Sequence, residues 1–346
     1  MGISQKFIDN LVIDELSSTP KYQQLSNAII AAIKNGILTK GDPMPSINEL
    51  SFSHDISRIT VEKGYNELRD LGILEAYPGK GYFVKNTDIF QELKIFLMFN
   101  KLSEHKKIIY DSFVQTLGDK ASIDFYIYNN DSKLFSKLIE NKLEGGYTHF
   151  VIIPHFIEGE KTAYQTINKI PKNKLIIVDK LIPEVSGNFG AVYENFSKNI
   201  YHALFQALEA LQKFSMIKLI FPEQSYYPYE IIEGFVAFCQ SFVFEYKIIN
   251  DIINEDINKG DVFINLMEDD LIKLLDKVTF KGFAVGSDVG IISYNETKTK
   301  KYIMNGLTTI STDFAEMGKR AAELILTGSK KHIENPFNVT FRDSLK

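Results

Sequence analysis

Several side chains that can bind nucleic acid lie close together between Ser57 and Lys63, where the chain reads SRITVEK. Arg58 can donate two parallel hydrogen bonds to the edge of a base, and Ser57, Thr60 and Lys63 can bind bases or phosphates. A second group follows at residues 79–81, where two glycines flank a lysine. Glycine lets the backbone approach a phosphate chain closely. These residue types at this spacing predict contacts with double-stranded DNA.

The elements that must position these side chains are two short helices. Ser46 followed three residues later by Glu49 has the pattern of a capping box, which predicts a helix start. Ser57 has the same role for a second helix, and Gly72 is predicted to end it. Two helices joined by a tight connection form a helix-turn-helix, which places its second helix in the major groove. The apolar residues of that helix are predicted to form one buried stripe: Ile59, Tyr65, Leu68 and Leu71.

A hairpin is predicted after the second helix. Two short apolar runs, Ile73–Leu74 and Tyr82–Val84, flank the sequence Pro-Gly-Lys-Gly. The tip residues Gly79, Lys80 and Gly81 are therefore expected to contact the DNA backbone.

The region from Pro20 to Val84 resembles the winged-helix domain of the GntR family of bacterial transcriptional regulators. The resemblance rests on four motifs in family order: PKYQQL, GILTKGDPMPSINEL, SRITVEKGYNELRDLGIL and GKGYFV. It implies operator DNA as a partner. Together with the residue chemistry, it leads us to predict these DNA-binding residues: Lys21, Ser46, Ser57, Arg58, Thr60, Lys63, Gly79, Lys80 and Gly81.

Composition limits the class of protein. The chain has 346 residues, is 45% hydrophobic and carries a formal net charge of −5. Residues 1–88 contain nine basic and eleven acidic residues, so we expect a local basic face on an acidic body. The single cysteine, Cys239, excludes an internal disulfide. The sequence has no apolar run long enough to span a membrane and no signal-peptide pattern at its start, so we expect a cytoplasmic protein without a membrane partner.

The pattern of the chain changes after a polar joint at residues 85–88. We predict a DNA-binding domain over residues 1–86, including an amphipathic N-terminal arm, then a linker over 87–93 and a second domain over 94–346. In the second domain, apolar runs alternate with helical stretches, which is typical of an α/β fold with parallel sheets. About 250 residues suit two similar lobes with a ligand cleft at the carboxyl ends of the strands.

The second domain resembles the periplasmic-binding-protein-like sensor of LacI-type regulators. The resemblance is clearest at VGSDVGIISYNE (285–296), at LTTISTDFAEMGKRAAELIL (307–326) and at VTFRDSL near the end. A GntR head joined to such a sensor is similar to the arabinose-repressor branch of the family. The resemblance implies two lobes connected by three chain crossings, near residues 193–195, 311–312 and 335–336.

The same resemblance implies where an effector binds, because polar groups follow the strand ends that face the cleft. Aspartate and asparagine suit a sugar, since a carboxylate or amide can bridge two hydroxyl groups. Asp179 and Asn295 also suit structural roles, as a strand-end cap and a turn residue. Where relatives usually have an arginine, this chain has Ile231, and the nearby Tyr226, Tyr227 and Tyr229 offer a surface for stacking. The predicted effector-binding residues are Asn100, Lys106, Asp179, Lys180, Tyr229 and Asn295.

An enzyme is not favoured by any motif. The sequence lacks a Gly-x-x-x-x-Gly-Lys-Ser/Thr loop, metal-ligand spacing and a Gly-x-Ser-x-Gly elbow, so we predict no catalytic residue, metal site or cofactor. We predict a ligand-responsive repressor that binds operator DNA as a homodimer and senses a small polar molecule, a sugar or a derivative. The alternatives are a cytoplasmic small-molecule binding protein, or an α/β enzyme with an accessory DNA-binding head.

Overall fold

The computed structural model describes residues 3–87, 93–223 and 225–346, apart from the side chains of residues 3–5. The predicted linker at 87–93 therefore lies largely outside the described residues. The chain divides into two compact units: residues 1–98, 118–127 and 144–150, and residues 99–117, 128–143 and 151–346. None of the helices in the described ranges is long and apolar enough to cross a membrane.

The N-terminal region is a winged helix-turn-helix, which confirms the predicted fold. Its elements are α1 (Ile3–Asn10), α2 (Lys21–Lys34), α3 (Ile47–Ser53), α4 (Arg58–Asp70), β1 (Leu74–Tyr77) and β2 (Gly81–Val84). The capping box is formed: the Glu49 amide donates to the Ser46 hydroxyl (3.2 Å), and the Ser46 amide donates to the Glu49 carboxylate (2.7 Å). Ser57 caps α4 by accepting from the Thr60 amide at 3.1 Å.

The predicted apolar stripe on α4 is partly wrong. Tyr65 and Leu68 are buried as expected, but Ile59 is 78% exposed and Leu71 is 51% exposed. The buried face is completed instead by Val61 and Gly64. Ile59 lies two residues before Val61, roughly 200° around the axis at about 100° per residue, so the two side chains point to opposite sides of the helix.

The N-terminal arm packs on the helices that follow it. Phe7, Ile8 and Leu11 belong to the same apolar cluster as α2 and α4. Val12 is 76% exposed, because the helix ends at Asn10 and the helical spacing no longer applies.

The strands of the second region are β3 (Leu93–Phe99), β4 (Ala121–Ile127), β5 (His149–Ile152), β6 (Leu175–Asp179), β7 (Gly190–Tyr193), β8 (Met216–Ile220), β9 (Glu245–Ile249), β10 (Asp261–Asn265), β11 (Gly290–Tyr294), β12 (Thr308–Thr312), β13 (His332–Glu334) and β14 (Phe337–Thr340). The helices are α5 (Glu104–Leu117), α6 (Ser132–Lys142), α7 (Glu160–Lys169), α8 (Phe196–Gln206), α9 (Leu208–Leu211), α10 (Glu230–Ser241), α11 (Glu268–Phe280) and α12 (Phe314–Leu326).

These strands form two six-stranded sheets whose strand orders correspond position by position. The first lobe contains the sheet β13-β7-β6-β5-β3-β4, and the second lobe contains the sheet β14-β12-β11-β10-β8-β9. Strands β6 and β11 are buried along their whole length, as expected for central parallel strands covered on both faces. The last strand, β14, is antiparallel to β12, with Thr312 opposite Phe337. The predicted α/β class with two parallel-sheet lobes is confirmed.

The chain passes between the two sheets three times: after β7, after β12, and between β13 and β14. After the second crossing, α12 packs closely on α5. A Cβ atom at Gly318 would lie 2.3 Å from the carbonyl oxygen of Ile109, so only glycine fits at this position. This close approach fixes α5, whose first turns carry cleft residues.

A short segment after α1 holds the N-terminal region against β4. The Ser18 amide donates to the Phe125 carbonyl (2.7 Å), and the Phe125 amide donates to the Thr19 hydroxyl (2.7 Å). The Tyr126 hydroxyl also donates to the Asp14 carboxylate at 2.9 Å. We call residues 14–19 the strap.

Candidate functional site

The N-terminal end of α4 presents an exposed polar surface. Ser57 and Arg58 are exposed, and Thr60 is half-buried. The Ser57 and Thr60 hydroxyls also lie 2.8 Å apart, so both side chains help to fix the start of the helix. Lys63 is exposed one turn later, and its Nζ lies 3.8 Å from the centre of the Tyr22 ring. Such a contact between a cation and a ring orients the lysine without removing its charge.

The hairpin tip has the backbone geometry that glycine allows. Gly79 and Gly81 have φ values of 73° and 91°, in the left-handed region, and Lys80 between them is exposed. The hairpin is fixed relative to α4, because the Tyr82 hydroxyl donates to the Asn66 amide oxygen at 3.1 Å. The tip and the start of α4 are thus parts of one rigid head.

Two further predicted DNA-binding residues, Ser46 and Lys21, also have structural partners. Ser46 serves in the capping box of α3, and the Lys21 ammonium lies 2.7 Å from the Glu15 carboxylate. Both participants in the Lys21–Glu15 pair are substantially exposed, so the pair contributes little stability and can exchange for another anion.

In the second region, two predicted effector residues lie at equivalent strand ends. Asp179 is the last residue of β6, and Asn295 follows β11, which has the same place in the other sheet. Both have a left-handed backbone, with φ of 79° and 65°. At Asp179 the chain forms a γ-turn, in which the Lys180 amide donates to the Val178 carbonyl. Such conformations cost about 1–3 kcal/mol and cluster at functional sites.

A buried ionic cluster surrounds Asp179. Its carboxylate accepts from Lys106 of α5 and, at 3.0 Å, from Nε2 of His155, which follows β5. Burial alone would raise the pKa of Asp179, but the Lys106 ammonium and the His155 bond outweigh burial and hold it well below its usual range. Burial lowers the pKa of His155, so its ring is neutral and donates through Nε2.

A second buried carboxyl lies beside this cluster. Glu194 directly follows β7 in the first lobe, and the hydroxyl of Tyr294, at the end of β11 in the second lobe, donates to it at 2.5 Å. Burial raises the pKa of Glu194 to about 8, and the negative charge of Asp179 acts in the same direction. Glu194 is therefore mostly protonated at neutral pH, and the charges of Lys106 and Asp179 balance each other.

The cluster lines a small cavity of about 30 Å³, which shares His105, Tyr226, Tyr227, Tyr294 and Asn295 with an adjoining cleft of about 370 Å³. One wall is a stacked pair of rings, Tyr226 and Tyr227, with centres 4.7 Å apart. Lys101 donates to the Tyr226 hydroxyl at 2.5 Å, and the Asn295 amide donates to the Tyr227 hydroxyl at 3.3 Å. The left-handed turn at Asn295 is held by the buried Lys300, which donates to its carbonyl at 2.6 Å.

Three of the six predicted effector residues lie together at the cleft: Lys106, Asp179 and Asn295. Asn100 is fully buried and donates to the Asn130 side chain at 2.8 Å, and the Lys180 ammonium is 4.0 Å from Glu160. The structure places Tyr229 at the start of α10, 64% exposed and outside the cleft lining. Ile231 is a fully buried core residue of the second lobe.

Sequence reasoning missed two residues of the cluster, His155 and Glu194. His155 stands alone after Pro154, and no ligand spacing in the sequence marks it. Glu194 follows β7, a four-residue strand with the sequence GAVY that gives little apolar signal. The equivalence of the two sheets would have indicated it, since Asp313 follows β12 as Glu194 follows β7.

Comparison with known proteins identifies both regions. Residues 21–84 match the family described as bacterial regulatory proteins, gntR family, and residues 263–345 match the periplasmic binding protein-like domain. The chain is 34% identical over 128 residues, 37% of its length, to the uncharacterized HTH-type transcriptional regulator YurK of Bacillus subtilis. That match spans 48% of the relative, and the chain spans less than two thirds of the curated relatives that follow.

Solved structures share the fold at low sequence identity. A lac repressor dimer bound to operator and the anti-inducer ONPF has a TM-score of 0.61 at 14% identity, covering 74% of this chain and 94% of that one. A second neighbour is a periplasmic binding protein/LacI transcriptional regulator from Alkaliphilus metalliredigens, complexed with D-xylulofuranose. It has a TM-score of 0.58 at 15% identity, and the match covers 74% of this chain and 100% of that one. The chain thus combines a GntR-type helix-turn-helix domain with a LacI-like, periplasmic-binding-protein-like domain.

Removing the buried carboxylate should be costly. Asp179→Ala would leave the Lys106 ammonium buried without its counter-charge, so we expect a loss of about 3–5 kcal/mol in the free energy of unfolding, measured by urea denaturation. The matched control is Glu140→Ala, which breaks the exposed pair with Lys169 (2.6 Å) and should cost less than about 1 kcal/mol. Equal effects of the two substitutions would contradict the buried cluster.

Glu194 should make stability depend on pH. A carboxyl whose pKa is higher in the folded than in the unfolded chain binds more protons when folded, so stability falls as pH rises from about 4.5 to about 8. We expect the Tm of the wild type to fall between pH 6.5 and 8, and Glu194→Gln to reduce this slope. The exposed Glu209→Gln serves as control and should keep the wild-type slope; an unchanged slope in Glu194→Gln would refute the assignment.

Proposed function

We propose that this chain, which joins a GntR-type DNA-binding domain to a LacI-like ligand-binding domain, is a transcriptional repressor whose affinity for operator DNA changes when a small polar effector binds. The observation that carries this proposal is the presence in one chain of an exposed α4 start and a polar cleft at strand ends. It acts as a homodimer, because a single helix-turn-helix reads few base pairs and specificity needs two half-sites. The lac repressor neighbour is a dimer on its operator.

The head supports DNA binding through its charge and geometry. Arg58 is exposed in the first turn of α4, where side chains of a recognition helix reach base edges. Lys80 is exposed at a glycine-flanked tip, which suits a phosphate contact. Because both belong to one rigid head, α4 and the hairpin tip can bind the same DNA duplex together.

The lining of the cleft suits an uncharged, ring-shaped ligand, and we propose that this ligand is a sugar. The stacked Tyr226 and Tyr227 rings offer a flat apolar wall, and Asn295 offers an amide beside it. The buried cluster is already electroneutral, so it holds no spare positive charge for a phosphate. Three acidic side chains, Glu104, Glu268 and Asp269, line the cleft against one basic side chain, Lys101, and this balance further disfavours an anionic ligand. The Alkaliphilus neighbour binds D-xylulofuranose.

Closure of the two lobes would couple ligand binding to DNA binding. The cleft is lined from both lobes, by His105 and Lys106 on one side and by Tyr226, Tyr227 and Asn295 on the other. A ligand that contacts both lobes favours the closed state. It can change DNA affinity only as far as its own affinities for the open and the closed state differ. The strap at residues 14–19 ties the head to β4 and offers a route for that change.

The DNA contacts should differ in kind between the two basic residues. Arg58→Ala should lower operator affinity by about 1–3 kcal/mol and relax specificity at one base position. Lys80→Ala should weaken binding to all sequences and reduce the slope of log affinity against log salt by about 0.9 per head. Lys137→Ala, an exposed lysine on α6, is the charge control. The operators are obtained by in vitro selection with the wild-type protein. If Arg58→Ala binds them with wild-type affinity, α4 is not the recognition helix.

The effector site is tested with variants that keep the fold. Thermal-shift screening against uncharged sugars, sugar phosphates and sugar acids should show stabilisation by an uncharged sugar. Asn295→Gly, which removes the amide but tolerates the left-handed backbone, and Tyr226→Ala should abolish that shift and the effector's influence on operator binding. Tyr229→Ala, an exposed tyrosine outside the cleft, should retain both. A full response in Asn295→Gly and Tyr226→Ala would place the site elsewhere.

A further inference from the structure

The outward face of α4 carries a large apolar side chain in its first turn. Ile59 is 78% exposed and does not belong to the apolar core of the head. It lies opposite Val61 and Leu68, two residues that pack α4 into the head, so it points away from the apolar core. Ile59 contributes little to the stability of the folded protein, because most of its apolar surface stays in water.

The neighbours of Ile59 indicate what covers it. Arg58 precedes it and is exposed, Thr60 follows it, and Lys63 lies one turn further along the same face with its ammonium oriented by Tyr22. A protein partner that covered Ile59 would also bury these polar and cationic groups. A DNA major groove provides acceptors for them on base edges and phosphates.

The major groove also contains one apolar group, the C5-methyl of thymine. It stands beside base-edge acceptors, as Ile59 stands beside hydrogen-bonding side chains. We infer that Ile59 is a specificity-determining residue that contacts the methyl group of a thymine in each operator half-site. The inference rests on the proposed DNA-binding function, and it adds to that function a base preference obtained through apolar contact rather than hydrogen bonding.

Replacing thymine by deoxyuridine tests this contact, because the change removes the methyl group and leaves the base-pairing edge intact. An operator is first obtained by in vitro selection with wild-type protein. Each thymine is then replaced singly by deoxyuridine, and affinities are measured by fluorescence anisotropy for wild type, Ile59→Ala and Leu71→Ala. Leu71 is the matched control, because it is also an exposed apolar residue. It directly follows the last residue of α4 and lies about 18 Å along the helix axis from Ile59.

At one thymine of the half-site, deoxyuridine should lower wild-type affinity about fourfold, the factor expected for burying one methyl group. Ile59→Ala should bind the thymine operator more weakly and lose the discrimination between thymine and deoxyuridine at that position. Leu71→Ala should discriminate as the wild type does. Ile59→Thr, which keeps one methyl group near the same place, should retain part of the discrimination.

The possible failures are distinguishable. If selection yields no DNA that the wild type binds, the proposed function fails and this inference fails with it. If an operator is bound but Ile59→Ala retains wild-type discrimination at every thymine, only the inference is overturned. The same holds if the selected half-sites contain no thymine sensitive to deoxyuridine. Ile59 is exposed, so its variants should have wild-type thermal stability, which circular dichroism checks.

Discussion

The buried pair between Lys106 and Asp179 is the interaction on which the cleft depends. It joins the first turn of α5 to the end of β6, and both side chains are almost fully buried. Two buried charges are tolerated only when they compensate each other and their remaining bonding sites are used. His155 supplies the second bond to Asp179, and Glu194 beside it is mostly protonated, so the charges of Lys106 and Asp179 balance within this cluster.

The cleft repeats one arrangement in two lobes. Asp179 and Asn295 both end their strands with a positive φ, and in each case a lysine stabilises the turn: Lys106 through the Asp179 side chain, Lys300 through the Asn295 carbonyl. Both residues line the same small cavity. The two sites differ in charge, so one lobe contributes a fixed ionic floor and the other an uncharged amide that a ligand can engage.

Much of the fold could be predicted from sequence because its signals are local. Capping residues, glycines and apolar runs located the helix-turn-helix, the hairpin and the longest strands. The predicted stripe on α4 is partly wrong because Ile59 is apolar but lies on the face opposite Val61, so residue type alone does not identify the buried face. The cleft was harder to predict, since its partners are distant in sequence: Lys106 and Asp179 are 73 residues apart, and Tyr294 and Glu194 are 100 apart. Only the folded sheets bring these residues together.

The strap joins the N-terminal head to β4 through a small set of hydrogen bonds. Its backbone and side chains exchange hydrogen bonds with Phe125 and Tyr126 of β4, and Gln24 of α2 binds both ends of the strap through Asp14 and Thr19. A neutral hydrogen bond contributes about 0.5–1.5 kcal/mol, so this small set is worth a few kcal/mol. Couplings between ligand sites are typically about 1–3 kcal/mol. In the proposed function, the hydrogen bonds between the strap and β4 are therefore large enough in free energy to carry a coupling between effector and DNA.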